Sequence, residues 1–276
     1  MITVLTVNQK YKKDRAVGKL SSLRDKLECE TKISGGVAVE HFVYTQYGRK
    51  INWKRIKNTI GSARHELLCA ENTDLPASMG FSRFDSKQLI KRLSENTAMS
   101  ALINAKINPH KIKITLYDKR GQYSDFAQLL TGFTANLRVI TGALDFYLDE
   151  TDRIMEEQGC CITAYDDVRK GFPCDIFLSP EIIDRYVPSN TETVVITSCK
   201  PAVPIKGKII YDYNFDLPDC YKSLKPESID DKYFACALYS KGNVYNLGSV
   251  VPKSLISTQG VTSTDILRQS IVEHLT

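Results

Sequence analysis

Residues 112–141, IKITLYDKRGQYSDFAQLLTGFTANLRVIT, decide the fold. Ile112 to Tyr117 is a near-continuous apolar run, the mark of a strand buried on both faces. A polar loop, Asp118 to Tyr123, leads to Phe126, Leu129 and Leu130 at helical spacing, and a second apolar run covers Leu137 to Thr141. Strand, helix and strand in so short a stretch predict neighbouring parallel strands joined by a helical crossover.

The rhythm continues downstream. An amphipathic helix from Asp145 carries Phe146, Leu148, Ile154 and Met155 and stops at Gly159. Strands are predicted at Cys160–Tyr165, Asp175–Ser179, Thr193–Ser198 and Lys208–Tyr213, with a short link at 168–173. Tyr233–Tyr239 and Val244–Leu247 flank Gly242-Asn243, which predicts a hairpin, and a last helix runs from Thr264 to Leu275. Upstream, Ile2–Val7 and Val37–Tyr47 read as strands, and Val17, Leu20, Leu23 and Leu27 predict a helix over Ala16–Cys29. Asn52 caps a short helix with Trp53, Ile56 and Ile60 on one face; Glu66–Ala70 is a short strand; Asp85 or Ser86 opens a longer helix to Ile103. The Asn108-Pro109 turn signal separates a small basic α/β domain, 1–107, from a Rossmann-like, mostly parallel sheet domain, 108–276, ending in a hairpin and a helix.

Composition sets the class. The chain has 276 residues, 42% hydrophobic and 25% charged, as a folded two-domain protein should. No apolar run approaches the roughly 18 residues of a membrane span. Met1–Val7 is apolar before the chain turns basic, the reverse of a signal peptide, so the expected compartment is the cytoplasm. Eight cysteines without a C-x-x-C pair argue against a structural zinc, and their apolar surroundings predict buried free thiols, with no metal site. Residues 1–110 hold 19 Lys and Arg against 10 Asp and Glu, and the remainder 18 against 22. Opposite signs suit two domains that attract each other, or a basic surface that meets an anion.

A doubly wound sheet places a ligand at the carboxyl ends of its strands. That rule gathers Asp118, Lys119, Arg120 and Gly121 after the first strand of the second domain, and Thr141 and Gly142 after the second. Asp166 and Asp167 follow the third, Ser179 the fourth, and Ser198, Cys199 and Lys200 the fifth. Helix N-termini beside Gly121 and Gly142 offer N–H groups to a phosphate, with Lys119, Arg120 and Lys200 as countercharge. The plainer alternative makes these solvated loop residues, with Asp118 and Asp166 as turn or cap groups.

Two passages carry a resemblance. FPCDIFLSP, 172–180, and GKIIYDYNFDLP, 207–218, together with the order of elements over roughly residues 111–250, resemble the dinucleotide-binding domain of shikimate dehydrogenase-like two-domain enzymes. The resemblance implies a ligand of nucleotide type or a phosphorylated small molecule in a crevice between the domains, and an NADP-type dinucleotide if the protein is an oxidoreductase. The G-x-G-x-x-G fingerprint is absent, because Tyr117–Tyr123 holds one glycine, and Thr141-Gly142 stands where an acidic residue would hold the ribose of NAD. The alternative is a non-catalytic regulatory or interaction protein without a cofactor site.

A third reading places single-stranded nucleic acid on Arg49, Lys50, Lys54, Arg55 and Lys57 around Trp53, with Tyr44 and Tyr47 nearby. It is disfavoured because Trp53 shares a helical face with Ile56 and Ile60. Cys199 beside Lys200 is the candidate reactive thiol, and Asp212, Asp216 and Asp219 could offer oxygens to a hard cation. Whether the chain forms an oligomer stays open at this level.

Overall fold

The computed structural model describes residues 1–9, 25–48, 50–166, 174–185 and 190–275. The chain divides into two compact units: Met1–Leu89 with Asp216–Leu247, and Ile90–Phe215 with Gly248–Thr276. Residues 216–247 thus group with the amino-terminal segment.

The first unit is built on a four-stranded sheet in the order β2-β3-β1-β4. Its strands are β1 (Ile2–Gln9), β2 (Lys26–Ser34), β3 (Val37–Gln46) and β4 (Leu68–Cys69). β1 runs parallel to both β3 and β4, and β2 pairs antiparallel with β3. The β2–β3 turn is Gly35-Gly36, at φ +55° and +75°. Two successive left-handed residues are what a tight two-residue hairpin requires, and glycine supplies them without steric cost. This pairing corrects part of the expected Ala16–Cys29 helix. Residues 16–24 of that stretch lie outside the described set, and from Lys26 the chain is strand, because ladder pairing with Val37–Thr45 of β3 outweighs the helical spacing of Leu23 and Leu27.

Helix α1 (Trp53–Ile60) starts at Asn52, whose side chain accepts from the Arg55 N–H at 3.0 Å. Ile56 and Ile60 are buried, and the half-buried Trp53 meets Phe81 edge-on with ring centroids 5.2 Å apart, so Trp53 packs against the core of this unit. Arg49 lies outside the described residues. The segment 231–240, expected as a strand of a hairpin, is a helix instead. Asp230 caps this helix by accepting from Lys232 N (2.9 Å) and Tyr233 N (3.1 Å). Phe234, Ala235, Cys236, Ala237 and Leu238 are all buried. An element buried all round has no period to read, and a buried helix then looks like a buried strand. Gly242 follows because a Cβ there would stand 2.6 Å from the Leu238 carbonyl oxygen.

The second unit opens with α2 (Gln88–Ala105), nearly all of which it contains, and continues with β5 (Ile114–Tyr117), α3 (Ser124–Leu130), β6 (Asn136–Ile140), α4 (Leu144–Gln158) and β7 (Cys161–Tyr165). Then come β8 (Ile176–Ser179), β9 (Val194–Thr197) and β10 (Lys208–Asn214). The sheet has eight strands in the order β7-β6-β5-β8-β9-β10-β11-β12, where β11 is Ser254–Ser257 and β12 is Gly260–Thr262. Helix α5 is Asp219–Lys222, α6 is Asp231–Ser240, and α7, Thr264–Leu275, ends the chain.

β5 to β10 are mutually parallel, while β11 and β12 form an antiparallel hairpin on the β10 edge. The expected C-terminal hairpin is therefore present, but at 254–262. Taken in chain order, the parallel strands lie 3-2-1-4-5-6, the arrangement of the dinucleotide-binding sheet. The fold is α/β and Rossmann-like. β5, β8 and β9 are buried at every position, and Tyr117, Ile140, Phe177 and Val195 pack in one cluster. Among the described residues no helix is long and apolar enough to cross a membrane.

Candidate functional site

Strand order in the second unit reverses between β5 and β8, and the carboxyl ends of these strands are where a doubly wound sheet accepts ligands. β5 delivers Asp118 to that point with its residue fully buried. The chain then turns sharply through Gly121 at φ +69° and enters α3. The Asp118 carboxylate lies inside this turn. It accepts from the backbone N–H groups of Arg120 (3.3 Å), Gln122 (2.9 Å) and Tyr123 (2.8 Å), and from the Tyr147 hydroxyl (2.7 Å). Tyr147 comes from the first turn of α4 and is fully buried. Burial, with the Asp118 charge beside it, drives the Tyr147 pKa far above the ordinary tyrosine value, so its hydroxyl is a permanent donor.

Convergent N–H groups at a strand-to-helix turn form an anion seat. Here the anion in the seat is the chain's own carboxylate. The turn is also closed from the α4 side: a Cβ on Gly121 would stand 3.0 Å from Ala143 Cβ and 3.4 Å from the Phe146 ring. Thr141, buried after β6, accepts from Ala143 N at 3.0 Å in the turn that precedes α4, and Gly142 N donates to the Lys119 carbonyl at 3.2 Å. Asp118, Lys119, Gly121, Thr141 and Gly142 thus come together in one interlocked pair of turns.

The remaining strand ends are also internally bonded. Lys119 Nζ meets Asp184 Oδ2 at 2.8 Å, and the Tyr117 hydroxyl reaches Asp184 Oδ1 at 3.2 Å. The hydrogen bond from Lys119 holds the Asp184 pKa below the usual carboxylate value, while burial and then the Asp184 charge push Tyr117 up to about 12. Ser179 and Thr197 both donate to the Glu181 carbonyl, at 2.8 and 3.2 Å. The Glu181 carboxylate takes Lys91 Nζ at 3.3 Å, and that ammonium lies 5.7 Å from the centre of the Tyr123 ring. Ser198 is buried and Cys199 half-buried, whereas Arg120, Asp166 and Lys200 are exposed. Among the described residues no hydrogen bond or ion pair joins Asp166, Ser198, Cys199 or Lys200 to the turn at 118–123. Asp167 lies outside the described residues.

Sequence reasoning placed Asp118 at the strand end but missed Tyr147, Glu181, Asp184 and Lys91. The first three carried a usable signal only as polar groups next to strand ends or in the first turn of a helix, and such positions are common. All eight cysteines are free thiols; Cys69, Cys160, Cys174 and Cys236 are buried as expected, while Cys29 and Cys220 are exposed, which corrects the general expectation of burial. Both exposed thiols sit next to charged residues outside the apolar runs. Among the described residues no group of three or more side chains is placed to hold a metal ion.

The first unit has a cleft that the sequence did not announce. It encloses about 440 Å³ next to the carboxyl end of β4 and is lined by residues from 69–71, 83–85 and 228–233. Arg83 organises one wall: its guanidinium donates to the carbonyls of Cys69 (3.0 Å), Ala70 (2.8 Å), Glu71 (2.7 Å) and Thr73 (2.7 Å).

No family model and no curated protein matches the chain. Among solved structures it is similar to L-tryptophan dehydrogenase from Nostoc punctiforme at 7% identity, over 99% of this chain and 80% of that one, with a TM-score of 0.33. A shikimate dehydrogenase in complex with NADP+ aligns at 11% identity over 100% and 96% of the two chains, with a TM-score of 0.31. Shikimate 5-dehydrogenase from Listeria monocytogenes, in complex with shikimate and NAD, aligns at 10% identity over 71% and 77%, with a TM-score of 0.28. These likenesses are of fold alone, and the assignment of a Rossmann-like sheet rests on this chain's own strand order.

Proposed function

We propose that the protein is a non-catalytic regulatory or interaction protein whose second unit keeps a dinucleotide-type sheet without the seat for a dinucleotide. The observation that supports this reading is the Asp118 carboxylate, which holds the N–H groups of Arg120, Gln122 and Tyr123. A pyrophosphate on this turn would need those donors and would bring negative charge against a buried carboxylate. The loop lacks the second glycine, which lets the backbone approach a pyrophosphate, and the third, which lets the helix pack closely on the strand. Lys119, one of the two countercharges in the turn, is already paired with Asp184.

The experiment is a thermal-shift panel on the purified chain with NADH, NADPH, mononucleotides and S-adenosylmethionine at millimolar concentration. The expected result is a midpoint that stays within scatter for every compound. A ligand at about a hundred times its dissociation constant adds roughly 2.7 kcal/mol, which moves the midpoint by several degrees in a protein of this size. Such a shift with NADPH would overturn the proposal and restore an NADP-type oxidoreductase.

A further inference from the structure

We infer that the cleft of the first unit binds a small organic cation, an ammonium group carried on an apolar body. At about 440 Å³ the cleft falls within the range of small-molecule sites. Its apolar wall includes Ile229, Phe84 and Tyr233, the two rings lying with centroids 6.0 Å apart and planes at 49°. The Tyr233 hydroxyl is spent on the Phe84 carbonyl at 2.9 Å, which leaves the ring as what this residue can offer a ligand. Aromatic ring faces attract cations through their negative charge; Lys241 Nζ already lies 5.9 Å from the centre of the Phe84 ring, which leaves the Tyr233 ring for a guest.

The rim decides the sign of the ligand. Glu71, Asp85 and Asp230 bring three carboxylates to the cleft against one guanidinium, Arg83. That guanidinium is committed to four backbone carbonyls and presents little to a guest. Asp230 is partly engaged as the cap of α6. Among the described residues no hydrogen bond or ion pair engages the carboxylates of Glu71 and Asp85, and both residues are exposed. A rim rich in acceptors and poor in available donors repels an anion and leaves a neutral polyol with unmatched acceptors. An ammonium brings donors and the complementary charge together. The scarcity of grouped metal-ligating side chains among the described residues favours an organic cation over a metal ion.

Isothermal titration of the whole chain with phenethylamine tests the inference, with phenylacetate and phenethyl alcohol as probes of the same body and different charge. The expected result is saturable binding of the amine at millimolar concentration and none of the other two. Asp85→Asn combined with Glu71→Gln should weaken amine binding about tenfold or more, with the thermal midpoint of the free protein unchanged because both positions are exposed. Absence of amine binding, equal binding of phenylacetate or the alcohol, or undiminished affinity in the double variant would each overturn it. All the positions involved belong to the first unit, so failure here leaves the dinucleotide panel on the second unit with its own separate outcome.

Discussion

The two units finish their parallel strands in opposite ways. At the end of β5 an acid faces inward, and the polar groups around it are used up in holding the chain together. Beside the end of β4 the acids Glu71 and Asp85 face outward, and the Arg83 guanidinium is turned back onto backbone carbonyls. The residue types are the same in both places. What differs is whether donors from the chain reach the carboxylate first. Position at a strand end therefore marks where a site could be, and the hydrogen-bond ledger at that position says whether there is room for anything else.

The sharpest way to break this contrast is Asp118→Ala. It strands three backbone N–H groups and a fully buried hydroxyl, and should cost about 3–5 kcal/mol, read as a lower midpoint in urea with an unchanged slope. A cost under about 1 kcal/mol would mean that the turn holds without its carboxylate. Arg83→Met should come next, at about 2–3 kcal/mol, since four carbonyls lose one charged donor. Tyr147→Phe removes a single bond to a charged acceptor while keeping the ring, and about 1.5–2 kcal/mol is expected by the same urea measurement.

A smaller effect is expected at Asp25, which imitates Asp118 nearer the surface. Burial opposes its charge, but the Tyr44 hydroxyl and the N–H groups of Tyr47 (2.8 Å) and Gly48 (3.0 Å) outweigh that and lower its pKa. Its folded pKa thus lies below the ordinary aspartate value of about 3.9. The stabilisation is complete above that value and is lost as pH falls through the lowered one. Asp25→Asn should therefore trail the parent by no more than about 1 kcal/mol at neutral pH, the half-buried site being partly screened by solvent. Stability curves of the two should converge in acid below about pH 4. Smallest of all, Asp85→Asn should leave stability within about 0.5 kcal/mol; a larger loss would show that this rim acid is structural after all.

Much of the second unit was legible from residue order because β5, β6 and β7 are short apolar runs separated by helix-length segments, and because Gly159 adopts the left-handed cap conformation at the end of α4. The helix faces were not, since Leu129, Phe146, Leu148 and Met155, expected among the apolar positions, are exposed. Legibility failed where burial erased the period, as in Phe234–Leu238, and where long-range pairing decided, as in Lys26–Ser34. The strand-end rule put Asp118 in view. Its partner did not follow from any rule, since Tyr147 stands 29 residues away and its neighbour Phe146 in the same turn is the exposed one. No local pattern says which of two adjacent aromatics turns inward. The cleft was illegible for the same reason: its walls come from segments near 70, 84 and 230 that only folding assembles.

The self-capped turn also acts as a one-way gate in sequence space. To become a phosphate-binding loop it would need glycines in place of bulky residues and the acid removed, and no order of those steps is cheap. Losing Asp118 first spends several kcal/mol out of the roughly 5–15 that hold a typical domain folded, before any ligand has been gained to compensate. Introducing the glycines first adds chain freedom to a turn that still holds its own anion. Single substitutions around Asp118 should therefore drift toward tighter self-closure, and a return to cofactor binding would take several simultaneous changes.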